Sequence, residues 1–410
     1  MADESESSAN PPSETLTRQK GAGRTGLYVA IAVVVVVVVI LAGGYAAGWF
    51  KTSSSSTTGA GCTLPAPTTL TGAGSTLVAP LMIAWSLSYT SVSTVDYAAV
   101  GSGAGISDIT AKTVDFGASD APLNPAQRAA IPSPGVVTIP ESAGAAVPIY
   151  NLPSVGPTLK FTGQILAAIY LGAITNWNNS ALQAVNPGVT LPTATIQVVH
   201  RSDGSGTTFV WSSFLSQENA TWKSTVGFGT TINWPTGIGA KGNSGVTNTV
   251  KTTVDAIGYV DINYALTNSV AYGSVQNPSG NFILANVTNI ASAIANSHVT
   301  LPPGTGDWYN VSVLNAPGAH DYPLATLTYV FVYTDLGVAY GSSYTMDHAQ
   351  NLVDFLAWAV SASGGQTFSA GLYYVPLSAS VLAADAATIA SLTFNGAKLT
   401  ACVPTGISSG

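Results

Sequence analysis

The chain has 410 residues and a net charge of −7, with 8% of its residues charged and 46% apolar. That balance supplies ample material for a core and excludes a general nucleic-acid binder, which needs a basic face. The length fits a membrane segment followed by one large or two ordinary domains.

Residues 1–25, "MADESESSANPPSETLTRQKGAGRT", are polar, rich in Ser and without periodicity, so they read as a disordered tail. Residues 26–50 carry no charge. As a helix they would rise roughly 37 Å, enough to span a hydrocarbon layer of about 30 Å. Arg18, Lys20 and Arg24 precede the run and only Lys51 follows. The charge asymmetry puts the N-terminus in the cytosol and everything after Lys51 outside a cell membrane crossed once. A cleaved signal peptide is the rival reading, but its apolar stretch is usually about 7–15 residues. "GAGC" at 59–62 resembles a lipoprotein cleavage site and lies well past the apolar run. The uncleaved anchor is preferred, with a Ser/Thr-rich linker over 51–66.

From 67 onward short strands alternate with amphipathic helices. Strands are expected at 94–100, 113–119, 194–200 and 326–335, and on both sides of a turn at 141–144. Helices are expected at 80–89, with Leu81, Trp85 and Leu87–Ser88 on one face, and at 207–217, with Phe209, Val210 and Phe214 at helical spacing. Two more follow at 347–362 and about 378–391, the first placing Leu352, Phe355, Leu356 and Ala359 in register. The alternation predicts an α/β fold. The return of the chain after a long excursion predicts two lobes joined by crossing strands: 67–141 with 325–405, and 142–324.

Four Gly/Ser/Thr-rich loops share one chemical character: "TGAGSTL" (71–77), "GSGAGI" (101–106), "DFGASDAPL" (115–123) and "RSDGSGTT" (201–208). Three of them run directly into a helix. A helix start offers unpaired N–H donors and a partial positive charge, and small residues let an oxyanion approach them. Arg201 adds a fork of donors suited to an oxyanion. Asp203, two residues on in an extended stretch, can face the same way and steady that guanidinium. Asp120 would repel a fully ionised anion but can accept a hydrogen bond from one that still carries a proton, as phosphate does at neutral pH. Capping and turn formation explain Asp120 and Asp203 equally well from composition alone.

Other motifs are thin. "GIGAKGNSG" (237–245) has a Walker flavour in the wrong order, "GSGAGI" is no dinucleotide fingerprint, and "DGSGT" is no nucleophile elbow. His200, His298, His320 and His348 lack metal spacing. No metal, cofactor or nucleic acid is expected. Cys62 and Cys402, the two cysteines, flank the exterior part; a bridge between them is expected there, against free thiols or a lipid on Cys62. Asn-x-Ser/Thr sequons stand at Asn178, Asn219, Asn286 and Asn310.

"LTGAGSTLVAPLMIAW", "VDFGASDAPL", "IYLGAITNWN", "NPGVTLP", "RSDGSGTTFVWSSFLS", "GAKGNSG" and "AIGYVDINYA" occur in this order. Together they resemble the phosphate-binding (PstS) proteins of ABC-type phosphate importers over most of 69–380. The resemblance implies a periplasmic-binding-protein-like (type 2) fold of two α/β lobes with hinge strands, closing on one inorganic phosphate and serving permease subunits of an ABC importer. By motif it implies phosphate contacts from Ser75, Thr76, Leu77, Ser102, Asp120, Arg201, Asp203, Ser205, Gly206 and Thr207. Leu77 departs from the usual aromatic, which spares an amide contact and loses any ring contact. Residues 280–320 match nothing in the pattern. A binder is expected rather than an enzyme; the alternatives are a phosphatase of the same fold, or a surface phosphate sensor or adhesion protein.

Overall fold

The computed structural model describes residues 57–58, 63–156 and 158–407. The tail at 1–25, the apolar run at 26–50 and Cys62 lie outside the described residues. Among the described residues, no helix is long and apolar enough to cross a membrane.

The first part of the chain builds three parallel strands, β1 (Thr69–Gly74), β2 (Thr94–Ala98) and β3 (Phe116–Ser119), in the order β2-β1-β3. Helices α1 (Ala79–Tyr89) and α2 (Ser102–Thr110) connect them. β1 departs from expectation, because "TLTGAG" reads as loop. Its small residues have a packing cause: a Cβ on Gly72 would fall 2.1 Å from the Phe116 ring, and one on Gly105 of α2 would fall 2.5 Å from the Gly74 Cα. The strand stays small so that a ring and a helix can lie on it.

The second part repeats the arrangement. β5 (Gln197–Arg201), β6 (Ile238–Ala240) and β7 (Ala256–Asp261) are parallel in the order β7-β5-β6. Helices α3 (Gly206–Glu218), α4 (Gly242–Thr252) and α5 (Ile262–Thr267) follow them. β4 (Val136–Tyr150) and β8 (Ala325–Tyr333) run between the two trios. β8 lies antiparallel to β3 on one side and to β4 on the other, and the far end of β4, from Ala146, pairs with β7. With Ala271–Tyr272 alongside β4, the result is one nine-stranded sheet.

β4 corrects the sequence reading. The turn expected at 141–144 is continuous strand, because Ser142 to Ala145 pair with Ala325 to Thr328. Its polar and small residues mimic turn chemistry, yet the partner strand satisfies their backbone. One irregularity remains: Thr328 pairs with Ser142 and Tyr329 with Pro140, so Glu141 is the extra residue of a β-bulge.

The helical faces are mostly as expected. α1 buries Leu81, Met82, Trp85 and Tyr89, but Leu87 is 40% exposed, since a residue two beyond Trp85 points to the opposite side of a 3.6-residue turn. α3 buries Val210 and Phe214, with Phe209 half-buried against Phe228. The segment that resembled nothing holds α6 (Val287–Asn296), whose Ser292 and Asn296 donate to Asp321 Oδ1, pinning the long loop beyond it. α7 (Met346–Ala359) and α8 (Ala379–Ile389) complete the layer; α7 buries Leu352, Phe355, Leu356 and Ala359.

Candidate anion-binding site

All the expected site residues lie at the carboxyl ends of the two parallel trios, where open α/β sheets place ligand sites. Ser75 to Leu77 follow β1, Ser102 opens α2 after β2, and Asp120 follows β3. Arg201 ends β5, Ser205 caps α3, and Gly206 and Thr207 begin it.

The two sets meet. A Cβ on Gly206 would lie 2.4 Å from Asp120 Oδ2 and 2.6 Å from Ser102 Oγ. The Gly103 amide donates to the Gly204 carbonyl at 2.9 Å. Arg201 Nη1 lies 3.4 Å from Thr207 Oγ1, and the Asn243 amide group donates to both Thr207 Oγ1 (3.3 Å) and Thr76 Oγ1 (3.0 Å). Donor-rich starts of α2, α3 and α4 therefore converge with one guanidinium.

Asp203 grips Arg201 through two bonds, from Nε to Oδ1 at 2.7 Å and from Nη2 to Oδ2 at 2.5 Å. The Gly242 amide also donates to Asp203, at 3.0 Å. Burial works to raise the Asp203 pKa, but the Arg201 pairing and that amide hold it below the usual carboxylate range. Asp120 differs. Burial pushes it up to about 6 against the pull of Ser75, Thr328, Arg201 and Ser102. Ser75 Oγ donates to its Oδ1 at 2.5 Å. The paired acid steadies a cation, and the acid without a cation of its own is an acceptor, a division of labour that composition alone leaves open.

The β1 loop is held by three tyrosines that sequence reasoning did not single out. The hydroxyls of Tyr97, Tyr264 and Tyr374 donate to the carbonyls of Ser75, Thr76 and Leu77, at 2.8, 2.8 and 2.6 Å. Three successive carbonyls are thus drawn onto phenols and kept from facing an anion. They come from 97, 264 and 374, so no local spacing reveals them. Asn243 also went unassigned, although it lies in "GAKGNSG" and opens α4 after a glycine, the same signal as the assigned loops.

Two expected contacts take a different form here. The Leu77 amide donates to Ser75 Oγ at 2.9 Å, and the Leu77 side chain is core. Ser205 Oγ accepts from the Thr208 amide at 3.0 Å, so it acts as the α3 cap. An open groove of about 540 Å³ lies elsewhere, over Ile83, Leu87, Val95 and Tyr97, and offers no cationic donor. Among the described residues, no group of three or more His, Cys, Asp or Glu is placed to hold a metal ion. Cys402 is buried, and no cysteine is free among the described residues.

Comparison with known proteins places the chain. A PBP superfamily domain model matches residues 53–363. The phosphate-binding protein PstS of Xylella fastidiosa is 36% identical over 337 residues, covering 80% of this chain and 83% of that one. PstS of Pasteurella multocida is 36% identical over 337 residues, covering 81% and 89%. Among solved structures, a phosphate-binding protein from Stenotrophomonas maltophilia superposes with a TM-score of 0.60 at 20% identity, over 80% of this chain and 99% of that one, a likeness of fold. The matching sequence and the two-lobed α/β architecture agree, and the chain belongs to the PstS phosphate-binding family of the PBP superfamily.

Proposed function

We propose that this protein captures inorganic phosphate between its two lobes, outside the membrane, and delivers it to the permease subunits of an ABC importer. It is a binding protein and not an enzyme, as its PstS relatives are named. The carrying observation is the pairing of roles at one point: Arg201 neutralised by Asp203, and Asp120 buried beside the α3 start. Thr76, Ser102, Thr207 and the main-chain amides of Gly206 and Thr207 supply neutral donors, and the Leu77 amide joins them once Ser75 turns to the ligand. Asp120 accepts the ligand's proton. Sulfate brings none at neutral pH, and a buried acceptor facing it without a hydrogen costs about 1–3 kcal/mol.

The lobes are assigned as 67–141 with 325–405, and 142–324. The long strand β4, paired with β8 at one end and β7 at the other, supports this division. Residues 26–50 act as a single-pass anchor with 1–25 cytosolic, 51–66 is the tether, and Cys62 pairs with Cys402. The apolar run, its basic flank and the buried Cys402 support those readings. The exterior placement makes Asn178, Asn219, Asn286 and Asn310 available to glycosylation where the machinery exists.

Titration calorimetry with phosphate, arsenate, sulfate and molybdate tests the function. Phosphate and arsenate should bind and sulfate should not; equal binding of sulfate, or none of phosphate, overturns the reading.

A further inference from the structure

Behind Asp120 stands a second acid that the site, as described, does not use. Glu141 is 1% exposed, and its Oε2 has no hydrogen-bond partner. It is the bulge residue of β4, opposite the Thr328–Tyr329 step, and a bulge beside a functional site re-aims the side chain it carries. Thr328 Oγ1 donates to Glu141 Oε1 at 3.1 Å. The same hydroxyl also acts on Asp120, lowering its carboxyl pKa as a donor to the carboxylate does. A hydroxyl has one hydrogen, so it can donate to one of the two carboxyls at a time.

We propose that Glu141 is a positioning residue for the anion site: as the acid it donates to Thr328, which turns its hydrogen onto Asp120 and holds that carboxylate ready to accept the ligand's proton. This rests on the phosphate reading above. When Glu141 ionises it takes the Thr328 hydrogen for itself. Asp120 then loses a donor and gains a buried negative neighbour, and both changes disfavour an anion beside it.

Among the described residues, the elements packed on β4 bring no unengaged cation to Glu141. Asp120 acts on it directly, and Glu141 in turn acts on the phenols of Tyr97 and Tyr374. Tyr264 and Asp261 stand next, Asp261 with its Oδ2 3.1 Å from where a Gly144 Cβ would be. β8 adds Tyr329 and Tyr333, the strand at Ala271–Tyr272 adds Tyr272, and α8, packed on β4, adds Asp385. α6 carries no titratable residue. Of the cations, Lys251 on α4 donates to the Asn268 carbonyl, and Arg201 is engaged by Asp203. Burial, with Asp120 adding to it, pushes Glu141 up to about 8, so the relay works at neutral pH and fails above it.

The test is calorimetric titration of phosphate and sulfate into the full chain from pH 6 to 9, with a thermal melt of each variant. Wild-type phosphate affinity should fall about tenfold beyond the ligand's own titration, the worth of one charge-assisted bond. Glu141→Gln keeps a donor that never ionises and should hold the low-pH affinity throughout. Glu141→Ala and Thr328→Val should weaken phosphate at pH 6 by similar factors, raise the sulfate-to-phosphate ratio, and show no further loss when combined. The inference is overturned if Glu141→Gln follows the wild type at every pH, or if the Ala and Val effects simply add. Should Glu141→Ala not fold, Glu141→Gln and Thr328→Val decide between these outcomes. A wild type that binds no phosphate at pH 6 defeats the functional reading itself, and this inference with it.

Discussion

Asn243 Nδ2 lies 3.0 Å from Thr76 Oγ1, although 167 residues separate them. One amide joins the β1 loop to the start of α4, reaches Thr207 Oγ1 at 3.3 Å, and accepts from the Asp261 amide at 3.1 Å through its own oxygen. It orients two of the hydroxyls assigned to the ligand. Asn243→Ala should weaken phosphate binding by about 1–3 kcal/mol, since two hydroxyls lose their shared donor and the buried Asp261 amide loses its acceptor. Calorimetry at pH 7 measures it, and an unchanged affinity assigns Asn243 to structure alone.

Arg201 is 1% exposed as a side chain and Asp203 12%. Arg201→Lys keeps the charge but loses the fork that engages both Asp203 oxygens, and Arg201→Ala leaves the anion without a cation. Phosphate affinity should fall in the order wild type, Lys, Ala, the last by at least about 3 kcal/mol, as for buried charges stripped of a partner. Because the folded pKa of Asp203 is depressed, its pairing stabilises the fold above the ordinary carboxylate pKa and is lost as pH falls through the lowered value. Arg201→Ala should therefore be less stable than wild type at neutral pH and lose less stability than wild type as pH falls through the carboxylate range, which thermal melts against pH measure.

Asp120 has the opposite sign. Its pKa is raised from 3.8 to about 6, so the protonated acid favours the fold. Stability from this group is fully present below pH 3.8 and is lost as pH rises through 6. Ligand-free wild type should melt at progressively lower temperature between pH 4 and 6.5, and Asp120→Asn should flatten that part of the curve. The same variant carries a donor where the acid accepts, so its preference for phosphate over sulfate should shrink. A retained preference would move the filter to another group.

How much of this was legible beforehand follows from range. The four loops, the pair Arg201 and Asp203, and the acceptor Asp120 all show themselves in short stretches, because small residues, a hydroxyl and a helix start are neighbours in sequence. β4 was misread because "ESAG" carries turn composition, and what makes it strand is β8, some 180 residues later. Tyr97, Tyr264 and Tyr374, three of 17 tyrosines, looked like packing. Their function is to receive three consecutive carbonyls from one loop, a relationship that exists only after folding. Glu141 escaped for a related reason: its aim depends on a register shift between two distant strands.

Gly206 gives the sharpest test of how closely the site must close. Gly206 is the first residue of α3, so an alanine there gains less than the roughly 1 kcal/mol it gains over glycine in a helix interior, and helix propensity alone predicts a slightly stabler protein. The added methyl, however, would stand 2.4 Å from Asp120 Oδ2, 2.6 Å from its Cβ and 2.6 Å from Ser102 Oγ. These atoms belong to the opposite trio of strands, and the two sides already make this approach in the structure. Gly206→Ala should lower the melting temperature without phosphate, and should also lose most of the stabilisation that phosphate gives to the wild type. Thermal melts with and without saturating phosphate read both effects. Equal phosphate-induced shifts in the two proteins would mean that the approach seen here between α3 and Asp120 is not needed for binding.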